Sequence, residues 1–285
     1  MPISQKFLSC LDTGGFHRIA YTQWGKADNN NVVICAHGLS RNGRDFDMLA
    51  AVLEDHFRVA CPDIAGRGIS DWLQNPKDYD FPLYLADMTA LIARMDVDNI
   101  HWIGTSMGGL IGMLLAAQPN TPIKSLVIND VGPLLPKSAL QRIGEFIGTD
   151  PRFPSLKDAE SFLRQVNAPF GPLTDNQWAH LAKYSFRQDD SGDWCLRYDP
   201  GIAVPFRDQS KEDVDLWPYW ERVTCPALIL RGAESDLLSR QTAKTMQDRG
   251  TKVQLIEYPG IGHAPALMDA AQIDDVVNWL LSHNP

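Results

Sequence analysis

The stretch that decides the fold is Ile100-His101-Trp102-Ile103-Gly104-Thr105-Ser106-Met107-Gly108-Gly109, which continues into a second apolar run over 110–117. A short buried run, a G-x-S-x-G turn and an apolar run of helical length read as strand, sharp turn and helix. A serine at the apex of such a turn needs small neighbours so that the backbone can close beneath it. The first turn of the following helix aims free N–H groups and the positive end of its dipole at the place where an oxyanion would develop. As a bare string the pattern arises by chance in roughly a tenth of chains this long. Its weight comes from its position between strand and helix.

The same alternation extends outward from this stretch. Apolar runs at 32–36, 58–61, 124–128, 227–230 and 253–256 are bounded by turn residues, as strands buried on both faces should be. Helical patterns at 46–53, 83–95, 240–249 and 270–282 lie between them, and the stretches 7–11 and 18–24 are expected to add edge strands. The prediction is an α/β protein with a mainly parallel, eight-stranded sheet flanked by helices.

From 133 to 220 the alternation stops. No comparable buried strand is expected there, but capping-box spacing appears at Ser138–Gln141 and Thr174–Gln177, and Ser155 opens an amphipathic run through Val166. Half of the chain's aromatic residues fall in this segment, which is under a third of its length. That enrichment argues for an apolar helical lid (133–220) inserted between two parts of one core (1–132 and 221–285), because a disordered linker would be poor in aromatics.

With these elements in order, the chain resembles the α/β-hydrolase superfamily over essentially its full length. His37-Gly38-Leu39 after the run 32–36 is similar to the family's oxyanion loop. Asp63-Ile64-Ala65-Gly66-Arg67-Gly68-Ile69-Ser70 resembles its D-x-x-G-x-G-x-S loop. Gly232–Asp236 and Gly260–His263 follow the last two buried runs, where the family places its acid and its base. The resemblance implies Ser106 as nucleophile, His263 as base and Asp236 as the orienting acid, with Asp130 in Asn129-Asp130-Val131-Gly132-Pro133 as the alternative acid. The backbone N–H groups of Leu39 and Met107 would then form the oxyanion hole. His37 reads as a structural loop histidine, and Asp63 and Arg67 as groups that stabilise their own loop. The implied reaction is hydrolysis of a carboxylic ester of a small or medium, largely apolar molecule through an acyl-enzyme. The rivals are a C–C bond hydrolase or enol-lactonase of the same fold, and a small-molecule receptor that kept the fold without turnover.

Composition narrows the partners. The 285 residues carry a net charge of −9 without a basic cluster, which disfavours nucleic acid and an anionic membrane surface. The chain lacks any run of about 20 apolar residues, H-E-x-x-H or paired Cys/His ligand spacing, and a full dinucleotide or phosphate-loop motif. Neither cofactor nor metal is therefore expected, while a homo-oligomer stays compatible with the sequence. Five dispersed cysteines and an N-terminus without signal-peptide layout point to a reducing, cytoplasmic setting.

Overall fold

Eight strands form one sheet in the order β1-β2-β4-β3-β5-β6-β12-β13. They are β1 (Ser4–Asp12), β2 (Gly15–Trp24), β3 (Val32–Ala36), β4 (Arg58–Pro62), β5 (Ile100–Thr105), β6 (Ile123–Asn129), β12 (Ala227–Gly232) and β13 (Val253–Tyr258). The computed structural model describes residues 3–205 and 212–284. The β1–β2 hairpin is antiparallel and pairs antiparallel with β4, and the other pairings are parallel. The sheet expected from the sequence is thus present, with the N-terminal hairpin at one edge.

Strand alternation explains why both faces are covered. Along β3, Val32, Ile34 and Ala36 join one apolar cluster, while Val33 and Cys35 join another on the opposite face. The first cluster takes in side chains from α2 (Phe81–Met95), α3 (Met107–Ala116) and α8 (Arg240–Arg249). The second takes in α1 (Asp47–Leu53) and α9 (Ala270–Ser282). Each fully buried side chain such as Ile34 or Leu49 contributes roughly 1.5–3 kcal/mol.

The segment 133–220 holds α4 (Lys137–Phe146), α5 (Leu156–Val166), α6 (Asp175–Ser185) and the short α7 (Trp217–Trp220). Two of the expected helix starts form as read. Ser155 caps α5 through the Asp158 N–H, and Thr174 and Gln177 make a reciprocal capping box on α6. The Ser138–Gln141 box does not form. There α4 begins two residues earlier, with Pro136 at the cap, and the Lys137 N–H is held by Asp213 Oδ1 at 2.7 Å instead. The segment also contains strands that the sequence did not show. β8 (Arg152–Phe153), β9 (Phe186–Gln188) and β10 (Trp194–Leu196) make one small sheet, and β7 (Leu134–Leu135) pairs with β11 (Val214–Asp215). A cluster of Ala159, Leu163, Trp178, Leu181 and Phe186 seals α5 against α6 and reaches Met268 of the sheet-bearing part.

Candidate active site

Ser106 sits between β5 and α3 at φ 51° and ψ −116°, a backbone conformation that L-residues rarely adopt. Its neighbours make that turn possible. A Cβ on Gly104 would lie 2.2 Å from the Gly108 carbonyl oxygen, and one on Gly108 would lie 2.0 Å from that of Ala36. The turn is braced from outside as well: the Ser106 N–H donates to the Asn129 carbonyl at 2.9 Å, and Trp102 Nε1 donates to the Gly108 carbonyl at 2.9 Å.

The His263 loop comes to this apex from the far side of β12 and β13. His263 Nε2 lies 3.0 Å from Ser106 Oγ, and His263 Nδ1 lies 2.8 Å from Asp130 Oδ2. With Nδ1–H donating to the carboxylate, the Nε2 lone pair is left to face the serine hydroxyl. Asn129 ties the parts together: its side-chain amide donates to Thr105 Oγ1 at 3.0 Å and to the Pro265 carbonyl at 2.8 Å.

The acid on His263 is Asp130, so the expectation of Asp236 is corrected. Asp130 directly follows β6, is fully buried, and its second oxygen accepts the Gly232 N–H at 2.9 Å. Asp236 lies four residues past the end of β12, is about half exposed, and forms a two-pronged pair with Arg142 of α4, with Nη2 to Oδ1 at 2.9 Å. A carboxylate occupied in that way faces the segment 133–220 and not the imidazole.

Leu39 and Met107 line the same cavity as Ser106. Neither backbone N–H has a hydrogen-bond partner among the described residues, and the Met107 N–H is one of the free donors at the start of α3. Arg67 ties these two residues to a third loop. Its buried guanidinium donates to the Leu39 carbonyl at 2.9 Å, to Tyr84 Oη at 2.9 Å and to the Ala65 carbonyl at 2.7 Å, and its Nη2 lies 3.8 Å from Met107 Sδ. Sequence reading credited Arg67 with its own loop alone, because its reach across 28 residues to Leu39 carries no local signal.

His37 and Asp63 support the same region. Ile64 N–H donates to His37 Nε2 at 2.9 Å, so His37 Nδ1–H donates to the Gly38 carbonyl at 2.7 Å and the ring is neutral. Burial pushes its pKa down to about 3. Asp63 accepts the N–H groups of Gly43 (2.8 Å) and Ile69 (2.9 Å), yet burial still raises its carboxyl to about 6. Arg41 and Arg142, which sequence reading did not single out, line the cavity beside Ser106.

The family model for the alpha/beta hydrolase fold matches residues 31–270. The chain belongs to that family. This α/β hydrolase is 45% identical to a 3-hydroxybutyrate-oligomer hydrolase of Cupriavidus necator, over 94% of each chain. It is 27% identical to a 2-(acetamidomethylene)succinate hydrolase of Mesorhizobium japonicum, over 80% of this chain and 79% of that one. Among solved structures, a putative hydrolase from Rickettsia typhi superimposes with a TM-score of 0.92 at 32% identity, covering 99% of both chains. The relatives are hydrolases with different named substrates, so the bond that this α/β hydrolase cleaves has to be argued from its own site. Among its described residues no helix is long and apolar enough to cross a membrane.

Proposed function

We propose that this α/β hydrolase cleaves carboxylic esters through an acyl-enzyme on Ser106, and that its substrates are short linear esters of the 3-hydroxybutyrate type. The observation that carries the reading is the continuous line Asp130 Oδ2–His263 Nδ1 and His263 Nε2–Ser106 Oγ, at 2.8 and 3.0 Å, ending at a serine beside two free N–H groups. Ser106 Oγ attacks the ester carbonyl as His263 Nε2 takes its proton, and the carbonyl oxygen, now anionic, is held by the N–H groups of Leu39 and Met107. Asp130 keeps the imidazole in the useful tautomer and stabilises its cation. His263 then protonates the departing alcohol, and water repeats the sequence on the acyl-enzyme.

The substrate class is supported by the Cupriavidus necator relative and by the cavity beside Ser106, about 560 Å³, walled largely by apolar side chains such as Leu110, Leu135 and Ile202. Residues 133–220 supply part of that wall, which supports a lid role for the segment. All five cysteines are unpaired, which supports a reducing compartment such as the cytoplasm.

Initial rates on p-nitrophenyl butyrate and on linear 3-hydroxybutyrate dimer and trimer test the reading. Turnover of these esters is expected, with an acyl adduct on Ser106 that Ser106→Ala abolishes while remaining folded. An unmodified Ser106 during turnover, or equal activity of the alanine variant, overturns it.

A further inference from the structure

The cavity at Ser106 has two lobes, and the smaller is the one that arginines border. The larger, about 560 Å³, is apolar and meets Ser106 beside Met107 and Leu110. The smaller, about 190 Å³, is lined by Ser106, His263 and Tyr198, by apolar side chains such as Phe162 and Phe170, and by two arginines, Arg41 and Arg142. Each arginine commits Nε and Nη2 to a carboxylate outside that lining: Arg41 to Asp45 at 2.8 and 2.7 Å, Arg142 to Asp236. Among the described residues the Nη1 of each has no hydrogen-bond partner. Two cations therefore border one small space in a chain whose net charge is −9.

We propose that the smaller lobe binds the free carboxylate of the departing alcohol, so that the enzyme removes single hydroxy-acid units from the carboxyl end of its oligomer. This inference rests on the ester-hydrolase reading above. The proton donor fixes which lobe receives the leaving group: the departing oxygen must take its proton from His263 Nε2, and His263 lines the smaller lobe and not the larger. In a linear hydroxyalkanoate ester the acyl side is neutral and methyl-bearing, which suits the apolar lobe. The unit on the alcohol side of the last ester bond carries the molecule's one charge, a carboxylate. Charge-assisted bonds from guanidinium groups are the strong way to hold such an anion.

The chemistry balances with one water per bond. Ser106 Oγ forms a bond to the last ester carbonyl carbon, the acyl C–O bond breaks, and the serine proton passes through His263 to the terminal alkoxide. That unit leaves as a free hydroxy acid. Water then adds to the acyl-enzyme, its proton passes to His263 and on to Ser106 Oγ, and the shortened oligomer leaves with a new carboxyl end.

The test uses the linear 3-hydroxybutyrate trimer as free acid and as methyl ester, with p-nitrophenyl butyrate as a neutral control. The wild type should favour the free acid by about tenfold or more in kcat/KM, the size expected for a charged hydrogen bond. An acid-quenched reaction with the free acid should show a two-unit acyl group on Ser106. Arg142→Gln should bring the ratio of acid to methyl ester to within about threefold of unity. Asp236→Asn, which removes the anion competing for Arg142, should keep or raise it. Equal use of acid and methyl ester by the wild type, a one-unit adduct in the first turnover of the trimer, or an unchanged ratio in Arg142→Gln overturns the inference. If p-nitrophenyl butyrate is still hydrolysed in that case, the ester-hydrolase reading stands. Failure to hydrolyse any of the three substrates would overturn both.

Discussion

Two aspartates follow neighbouring strands of the sheet, and their surroundings differ in every respect that matters. β6 and β12 pair directly, so the loops that carry Asp130 and Asp236 start side by side. Asp130 is fully buried, and each of its oxygens has a fixed partner, His263 Nδ1 on one and the Gly232 N–H on the other. Asp236 is 48% exposed and meets a partner, Arg142, that is itself 42% exposed. A buried carboxylate that loses one partner leaves the other group unsatisfied in a medium that cannot solvate it. A surface pair is screened by water and replaceable. The lesson is that proximity along the chain to an expected motif does not assign a role; burial and the second hydrogen bond do.

The largest way to break this contrast is Asp130→Asn. An amide there can present the wrong group to Nδ1 and cannot stabilise the imidazolium, so kcat on p-nitrophenyl butyrate should fall by up to about 10⁴. Circular dichroism and a urea transition should show the variant folded. If it keeps turnover within about tenfold of wild type, Asp130 is a brace and the orienting acid must be sought elsewhere.

Ser106 and His263 were legible in the sequence because each sits in a glycine-marked loop after an apolar run, a pattern confined to a few residues. The strands β3, β4, β5, β6 and β12 were legible as short buried runs, whereas β1 and β13 lie at the two edges of the sheet and stay partly exposed. The choice between Asp130 and Asp236 was not legible. Both are carboxylates shortly after a strand, and the decision depends on where the chain goes next. Asp130 is held at φ 58° at the strand end, while the loop after Gly232 carries Asp236 outward to α4. Strands such as β8 and β7, two residues each, are too short for any periodicity to register. Arg67 reaches Leu39 across 28 residues and Arg142 reaches Asp236 across 94, so nothing near either announces the contact.

A second, smaller effect contrasts the buried loops with the exposed seam through acid stability. His37 titrates at about 3 in the folded protein against 6.5 for the free side chain. Below 6.5 the unfolded chain gains a proton that the native ring refuses, so His37 contributes stability above that pH and loses it as pH falls towards 3. Between about pH 7 and about pH 5 the loss is about 2 kcal/mol. His17, raised by its hydrogen bond to Asp87, works in the opposite direction, and so does Asp63. The informative quantity is therefore the difference between wild type and His37→Gln, which leaves the other groups in place. Urea midpoints at the two pH values should fall more for the wild type. Parallel losses would show that His37 takes up a proton in the folded state.

The smallest effect is expected at the exposed pair itself. Asp236→Asn removes a contact between two groups that are each nearly half in water, and such pairs contribute about 0–1 kcal/mol. The urea midpoint should move little, and the shift should shrink further in high salt, where the native pair is already screened. On the neutral ester kcat should stay within about tenfold of wild type, because the Asp236 carboxylate bonds to Arg142 while His263 Nδ1 bonds to Asp130. A change in KM is the informative residue of the experiment: Arg142 lines the smaller lobe, and releasing it alters what that lobe presents to a substrate. A collapse of kcat in a folded Asp236→Asn protein would mean that the Asp236 loop turns inward during turnover and shares the work of Asp130. The division drawn between a buried, fixed carboxylate and an exposed, exchangeable one would then fail at the point where it matters for catalysis.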